Sequence, residues 1–589
     1  MDVKLEHSPR PMTHLRPPLK FPLHASVPLL ALALTSFTAA QQTGGNWTTF
    51  HQWNGLAPGD SFGSAVASAG DVDGDGRNDV IVGAPGASPS GMTSAGSVFV
   101  YSGITGAVIW QLDGSASGDA FGTAVASAGD LNADGISELL IGAPLASPAG
   151  LTEAGSVFVV DGATATTLYQ YDGTAAGDHL GQSVAALADT DGDSIDEFLI
   201  GAPLADPSGL NDAGTASLYS GATGLPIYTY NGAAEGDWLG HSVAPSGDVN
   251  ADGMPDFVLG AHGASPGGLT RAGSVYAYSG LDGSLIHQLD GGESGDYFGF
   301  SVSSAGDVND DGWDDILVGA PNTVGGVVPR ITGAVYAISG RFTNILLKKE
   351  GKNWFENFGW SVAPAGDVNL DGKDDIMVGA PLYQSGGVWH GAGFIFDSAT
   401  GFIIRQVDGS HSHSYMGYCV ANLSDVTGAP FTEFAFAARA EDPGGLSGAG
   451  GLQIHGVDSL ISADADSISV AVGGTVNFYL DFPDSSAGHD YRLLGSLTGT
   501  GPVFLNGLYI PLTPGDQAWR YMIEPVPPPW FTDSIGVLDA NGDATVTMVV
   551  PVDQGPFFLG STFYFAGVTV QLPSTPLISS IPVSVEFLP

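Results

Sequence analysis

An acidic nine-residue loop that returns at a nearly fixed interval constrains this chain more than any other feature. It first runs Asp71-Val72-Asp73-Gly74-Asp75-Gly76-Arg77-Asn78-Asp79. The frame recurs from Asp130 to Glu138, Asp189 to Glu197, Asp248 to Asp256, Asp307 to Asp315 and Asp367 to Asp375, and a degraded copy runs from Asp425 to Glu433. The first positions are separated by 59, 59, 59, 59, 60 and 58 residues. A period of that length held through seven copies defines a repeat architecture, in which neighbouring units bury one another's apolar faces.

One unit reads as four short strands. Phe62–Ala69 alternates small and apolar residues, the acidic loop follows, and Asp79–Pro85 is a continuous apolar run ending Gly-Ala-Pro. A Ser-, Pro- and Gly-rich loop leads to Gly96–Gly103, and Gly106–Gly114 closes the unit. Four strands in each of seven units predict an all-β fold, a seven-bladed β-propeller over residues 41–460. Units of about 59 residues are too small to stand as separate domains. The segment Asn46–Gly55 matches the fourth-strand pattern but precedes the first unit, whereas the seventh unit leaves the pattern after Gly450–His455. Strand 47–54 is therefore expected to complete blade seven and remove the open sheet edges.

The loop is built to hold a cation. Asp or Asn occupies positions 1, 3 and 5, Asp or Glu occupies position 9, and Gly at position 6 permits the reversal that turns the oxygens to one centre. The candidate ligands are Asp71, Asp73, Asp75 and Asp79 in the first loop, Asp130, Asn132, Asp134 and Glu138 in the second, and Asp189, Asp191, Asp193 and Glu197 in the third. Asp248, Asn250, Asp252 and Asp256 form the fourth set, Asp307, Asn309, Asp311 and Asp315 the fifth, and Asp367, Asn369, Asp371 and Asp375 the sixth. An all-oxygen cage suits Ca²⁺ above Mg²⁺, which resists full dehydration, and lacks the Cys or His that Zn²⁺ favours. An EF-hand would need Glu at position 12, where Val82, Ile141, Ile200, Leu259, Val318 and Val378 stand instead. Asp, Asn and Gly also make ordinary turns, but six copies in register argue for about six structural calcium sites. Loop three has Ser194 at the glycine position, and loop seven has Thr427 and Ala429 where ligands should be, so the seventh is expected to hold no calcium.

Phe62-Gly63 with Gly83-Ala84-Pro85 around an Asp-rich loop resembles the FG-GAP repeat of integrin α-subunit propellers. The pairing recurs as Phe121-Gly122 with Gly142-Ala143-Pro144, Phe298-Gly299 with Gly319-Ala320-Pro321, and Phe358-Gly359 with Gly379-Ala380-Pro381. Leu180 and Leu239 replace Phe in units three and four, His262 replaces Pro in unit four, and unit seven reads Met416-Gly417 with Ala437-Ala438-Arg439. The resemblance covers about residues 47–457. It implies the propeller, calcium in the loops, and adhesion or recognition as the role. The integrin leg region and transmembrane helix have no counterpart here, so heterodimerisation and signalling do not carry over.

An acid stands two residues before each Phe-Gly pair or its variant: Asp60, Asp119, Asp178, Asp237, Asp296 and Glu356, with Ser414 in the last unit. These six lie on the face opposite the acidic loops. They are either a ligand-binding ring for a cation, an amine or a basic partner, or Asx-type turn residues that accept bonds from nearby backbone N–H groups. His390, His411 and His413 lack a fixed spacing or a paired carboxylate and read as surface residues. The lone Cys419 reads as a buried blade residue.

With 62 acidic and 16 basic residues the net charge is −46. That excludes binding of nucleic acid through its backbone, which needs Lys and Arg stripes. Residues 1–40 hold four basic and two acidic side chains, leaving 12 minus 60, or −48, in the remainder. Six calcium ions would return +12 against the 20 carboxylates at ligand positions, so metal binding accounts for only part of the acidity. Arg16 and Lys20, the apolar run Val27–Thr35 and Thr38-Ala39-Ala40 before Gln41 read as a signal peptide, 1–40. The apolar run is too short to span a membrane comfortably, and no other span is expected.

Residues 461–589 leave the repeat and read as a small antiparallel β-sandwich, with strands at Ser467–Val472, Thr475–Phe482, Ala544–Val550 and Thr562–Leu572. The sequence offers no HExxH, no Gly-x-Ser-x-Gly elbow with partners and no phosphate-cradling glycine loop before a helix, so the chain is read as a non-enzyme. The expected function is that of an exported calcium-binding propeller, secreted or at the cell surface, that adheres to an extracellular protein or polysaccharide. The alternatives are a hydrolase or lyase acting on polysaccharide or phospholipid, and a structural spacer.

Overall fold

The computed structural model describes residues 46–458 apart from 326–329, 370 and 428–431, and beyond them a set of strands between 461 and 588. The segment read as a signal peptide, 1–40, lies outside the described residues.

Burial sorts the strands of a blade by their position in it. The first, Ala65–Gly70 in blade one, is made of small residues, as an inner strand must be where seven converge on one axis. The second, Asp79–Ala84, is buried at every position because a neighbouring blade covers each face, which is why it reads as an unbroken apolar run. The third, Ser97–Tyr101, is buried likewise. The fourth, Val108–Asp113, alternates between exposed and half-buried residues at the rim. The four pair antiparallel in chain order, with Val82 opposite Val66 on one side and Phe99 on the other.

Blades two to six repeat this order with second strands Glu138–Ala143, Glu197–Ala202, Asp256–Ala261, Asp315–Ala320 and Asp375–Ala380. In blade seven, Met416–Ser424, Glu433–Ala438 and Gly451–Asp458 are joined at the outer edge by Asn46–Asn54, with Trp47 opposite Val457 and Trp53 opposite Leu452. The fold is a seven-bladed β-propeller. The apolar cores lie between blades: Phe62, Val80 and Val82 of blade one pack with Ala435, Leu452 and Ile454 of blade seven.

The Phe-Gly pair stands in the turn before the first strand rather than within it. Gly63 has φ +85° and Ser61 φ +55°, left-handed values that a strand does not take. From that turn the glycine faces the preceding blade. A Cβ on Gly83 would lie 1.9 Å from the carbonyl oxygen of Gly122, and one on Gly142 would lie 2.1 Å from that of Gly181. The same contact would be 2.0 Å for Gly201 against Gly240 and 2.2 Å for Gly260 against Gly299. The glycine of each Gly-Ala-Pro therefore makes room for the Phe-Gly turn of the next blade. At the closing junction the position is held by Ala437.

A second contact links the blades at the rim. Trp110 Nε1 donates to the Gly162 carbonyl at 2.7 Å, Tyr171 OH to Gly224 at 2.9 Å and Tyr230 OH to Gly283 at 2.9 Å. Trp53 of the closing strand does the same to Gly106 at 3.0 Å. In these four blades the fourth strand thus holds the outer turn of the next blade.

The connections between second and third strands differ along the ring. Five blades carry a short 3₁₀ turn, such as Pro89–Gly91 and Pro443–Gly445. Blades five and six replace it with two-stranded ribbons, Val324–Gly325 with Arg330–Ile331 and Gln384–Ser385 with Val388–Trp389. His390 is not on the surface as read: it is buried beside Tyr383, with Nδ1 2.8 Å from the Gly391 carbonyl. Cys419 reaches toward the Val66 carbonyl, and burial pushes its thiol up to about 11.

Beyond the propeller the strands form a four-stranded sheet, a six-stranded sheet and a two-stranded pair, Val503–Leu505 with Leu508–Ile510. The first runs Ile461–Ala463, Gly474–Asp481, Asp543–Val550, Phe531–Thr532, and the second is centred on Thr562–Gln571. One pairing departs from the antiparallel expectation, because Ser467–Ser469 runs parallel to Val583–Leu588. Among the described residues no helix is long and apolar enough to cross a membrane.

Gly83→Ala is expected to destabilise the propeller by about 1–3 kcal/mol through overpacking between blades one and two, whereas Ala437→Gly should change it far less. Denaturant unfolding of both variants measures this. Equal effects would show that the junctions have slack.

Candidate metal centres

Each acidic loop is held by its own carboxylates. Asp71 at position 1 accepts N–H bonds from Gly74 at 2.7 Å and Gly76 at 2.9 Å, and Asp75 at position 5 accepts one from Arg77 at 2.9 Å. Asp130, Asp248, Asp307 and Asp367 repeat the bond from position 6 at 2.8 Å. Position 6 is left-handed throughout, from Gly76 at φ +85° to Gly372 at φ +88°. Ser194 takes φ +69° in loop three, a strain of about 1–2 kcal/mol that glycine avoids.

Position 9 opens the buried second strand, so its carboxylate is drawn out of water. Asp79, Glu138, Glu197, Asp256, Asp315 and Asp375 are all fully buried. The aspartates bridge the sheet: Asp79 accepts from Val72 N–H at 2.8 Å and from Gly103 N–H, in the turn after the third strand, at 3.0 Å. The longer glutamates leave an oxygen for the loop. Glu138 Oε1 takes Asn132 Nδ2 at 2.8 Å, and Glu197 Oε1 is buried with no hydrogen-bond partner. Burial, reinforced by the neighbouring acids, pushes Asp79 up to about 6 and Glu138, Glu197, Asp256 and Asp315 up to about 7. Asp375 moves well upward for the same reason.

The oxygens of Asp71, Asp73 and Asp79 lie within 4.8 Å of one another, as do those of Asp130, Asp134 and Glu138, and those of Asp189, Asp191 and Asp193. Buried, mutually repelling carboxylates and an orphaned Glu197 oxygen are the features a bound cation would relieve, and the all-oxygen donor set fits Ca²⁺. Loop seven differs. Its Glu433 accepts from Val426 N–H at 2.9 Å and from the Thr427 hydroxyl at 2.5 Å, and Asp425 pairs with the Arg77 guanidinium of loop one. Internal partners satisfy both carboxylates there. Ala429 lies outside the described residues.

Two further acids stand at these centres. The turn after each third strand begins with Ser102, Ser220, Ser279 or Ser339 in four blades, but with Asp161 and Asp397 in blades two and six. Asp161 caps its turn through Thr164 N–H at 2.8 Å, as Ser102 does through Thr105 N–H at 3.3 Å. Its other oxygen lies 3.4 Å from Asn132 Nδ2. Asp397 likewise helps raise Asp371, after the larger effect of burial. The serine-or-aspartate alternation is visible in the sequence, yet nothing there places it beside a loop about thirty residues away; sheet pairing does.

On the opposite face the six acids before the Phe-Gly turns are buried. Asp60 accepts Ala57 N–H at 2.7 Å, Asp119 accepts Ala116 N–H at 2.9 Å, Asp178 accepts Ala175 N–H at 2.9 Å, and Asp237 accepts Ala234 N–H at 2.8 Å. Glu356 accepts Lys352 N–H at 2.7 Å, and burial raises Glu356 and Asp296. The geometry is that of turn caps, each using one carboxylate oxygen on its own backbone.

The FG-GAP repeat family model matches residues 62–101, 121–160, 180–219, 239–278, 298–338 and 358–390. The chain is 33% identical over 216 residues to integrin alpha-V of Gallus gallus, covering 34% of this chain and 20% of that protein. It is 36% identical over 171 residues to integrin alpha-5 of Xenopus laevis, covering 28% and 15%. It is also 30% identical over 205 residues to phosphatidylinositol-glycan-specific phospholipase D of Bos taurus, covering 30% and 24%. The chain therefore matches only about a quarter or less of the length of these relatives.

The buried acids set a pH dependence. Folding raises these carboxyls from 3.8 or 4.5 to about 6–7. Their protonated forms support the metal-free fold, and that support is lost as pH rises from about 4 through about 7. Buried His241, His262 and His455, pushed below 6.5, act in the opposite sense in the acid range. The comparison that isolates the carboxyls is thus the melting temperature with calcium minus that with chelator, which should grow from pH 5 to pH 8. A constant or shrinking difference would contradict it. Asp161→Ser, which keeps the turn cap, should weaken one site severalfold in a calcium titration and leave the others unchanged.

Proposed function

Since the propeller is built from FG-GAP repeats like those of integrin α-subunits, we propose that it is an exported, calcium-stabilised recognition module. Its ligand-bearing surface is the face opposite the acidic loops. The observation that carries this reading is the division of labour between the faces. One face repeats the same carboxylate loop around the ring, whereas the other changes its connections from 3₁₀ turns to ribbons in blades five and six. A scaffold that fixes one face and varies the other is arranged for binding.

Calcium is structural in this reading and occupies six loops, drawing the buried position-9 carboxylates into coordination. At 100 times its dissociation constant each ion stabilises the fold by about 2.7 kcal/mol. Extracellular sites commonly bind at roughly 0.1–1 mM, so calcium outside the cell would fill the ring. The partner is an extracellular protein or polysaccharide. The similarity to a phospholipase D favours hydrolysis as the second reading, and the same experiment tests it.

Residues 41–589, immobilised over polysaccharides and native surface proteins with calcium or with EDTA, should retain a ligand only with calcium and leave it uncut. Cleavage would establish the hydrolase reading. No retention on any surface would favour a spacer.

A further inference from the structure

Position 8 of the acidic loop lies outside the candidate ligand set, yet in blades five and six it grips the loop before it. Asp314, at position 8 of loop five, clasps position 1 of loop four from both sides. Its N–H donates to the Asp248 carbonyl at 3.2 Å, and its carboxylate accepts the Asp248 N–H at 2.7 Å. Asp374 of loop six accepts the Asp307 N–H of loop five at 3.2 Å. The residue gripped is the one that shapes its own loop. The Asp248 carboxylate accepts from Asp252 N–H at 3.0 Å and Gly253 N–H at 2.8 Å, and that of Asp307 from Asp311 N–H at 3.1 Å and Gly312 N–H at 2.8 Å. Loops four, five and six are therefore joined in series, the first two held at position 1 by the blade that follows.

The sequence records these joints and marks where they stop. In blades one, two, four, five and six the first strand ends in a bulge at a left-handed glycine, φ +67° to +72°, just before position 1. A Cβ on Gly247 would lie 2.0 Å from an Asp314 carboxylate oxygen, and one on Gly306 1.9 Å from Asp374, so the glycine also clears the joint. Blade three has Ala188 here and pairs without a bulge, Leu187 opposite Glu197. The position-8 residue it would receive is Pro255, which has neither an N–H nor an acceptor side chain. Glycine and joint are lost together. At the other end a Cβ on Gly366 would meet nothing within 4 Å among the described residues, and loop seven, with Thr432 at position 8, lacks the ligand set. The joined series is bounded on both sides.

We propose that Asp314 and Asp374 are positioning residues that couple the cation sites of blades four, five and six into one cooperative block, and that the Pro255 junction insulates loop three from it. Asp314 directly precedes the candidate ligand Asp315, so the order of loop five sets the clasp on Asp248, and Asp248 sets the order of loop four. Asp374, next to Asp375, links loop six to loop five in the same way. The cost of ordering is shared along the series, so filling one site lowers the cost of filling its neighbour. Coupling of this kind is reciprocal. The inference rests on the calcium reading above and adds which sites fill together.

Trp313, at position 7 of loop five, is the only tryptophan in the seven loops and serves as the reporter. The test titrates the full chain with terbium, follows the luminescence sensitised by Trp313 after subtracting that of Trp313→Phe, and displaces the terbium with calcium. Asp252→Ala, which removes a candidate ligand of loop four, should weaken binding at loop five at least about fivefold. Asp193→Ala, the matching change in loop three, should leave loop five unchanged. In an Asp314→Ala background Asp252→Ala should no longer matter, and this double-mutant cycle separates coupling from a merely structural cap. If Asp314→Ala fails to fold, Asp314→Asn, which keeps the size and loses the charge, should diminish the effect. A loop five that is indifferent to Asp252→Ala, equally weakened by Asp193→Ala, or as sensitive as before in the Asp314 variants overturns the inference and leaves the calcium reading standing. No uptake at loop five of the parent chain, or terbium that calcium does not displace, defeats both.

Discussion

The ring depends on a close approach between two stretches of backbone. The glycine that ends one blade's second strand lies under the carbonyl of the Phe-Gly turn of the next, with no room for a Cβ. That contact fixes the separation of the blades. The apolar residues of the second and third strands then fill the remaining space from both sides, and the rim bonds from Trp110, Tyr171 and Tyr230 fix the outer distance. Phe-Gly and Gly-Ala-Pro are therefore two halves of one joint, recorded about sixty residues apart because they meet across a blade boundary. Interiors packed this closely transmit a misfit rather than absorb it.

Electrostatics divides the molecule by face. Each position-9 carboxylate is placed by the strand it begins, not by the loop it serves, and burial is imposed on it by the neighbouring blade. The loop therefore carries repulsion that a proton, a cation or an internal substitute can relieve. Blade seven uses the substitutes: the Thr427 hydroxyl for Glu433 and the Arg77 guanidinium for Asp425. On the opposite face the acids are turned back on the backbone, where nearby N–H groups hold them.

The propeller was legible in the sequence because its period is long, its glycines are fixed by sterics, and its carboxylates alternate in a way that ordinary turns do not sustain. The acidic loops that carry Asp71 through Asp375 stood out for the same reason. What was not legible depends on contacts between distant segments. Asp161 and Asp397 reach the loops only through pairing of the second and third strands. The ring contacts of His241 with Phe300, Phe300 with Trp360 and Trp360 with Tyr418 join residues 58 to 60 positions apart, each ordinary in its own blade. The Phe-Gly pair was assigned to a strand because its neighbours alternate, yet the left-handed φ of Gly63 puts it in a turn. His390 looked like part of a surface cluster, whereas the ribbon of blade six brings it against Tyr383.

The closing strand has a consequence in time. Asn46–Asn54 is synthesised before any blade, but its partner Gly451–Asp458 is nearly the last part of the ring to be made. Its backbone has no strand partner until then, and long-range pairing of this kind is slow and prone to capture by other edges. Six blades can assemble in order as the chain grows, each docking on the one before. The molecule becomes a ring in a single late step, and until that step it is an open spiral with a free edge at each end.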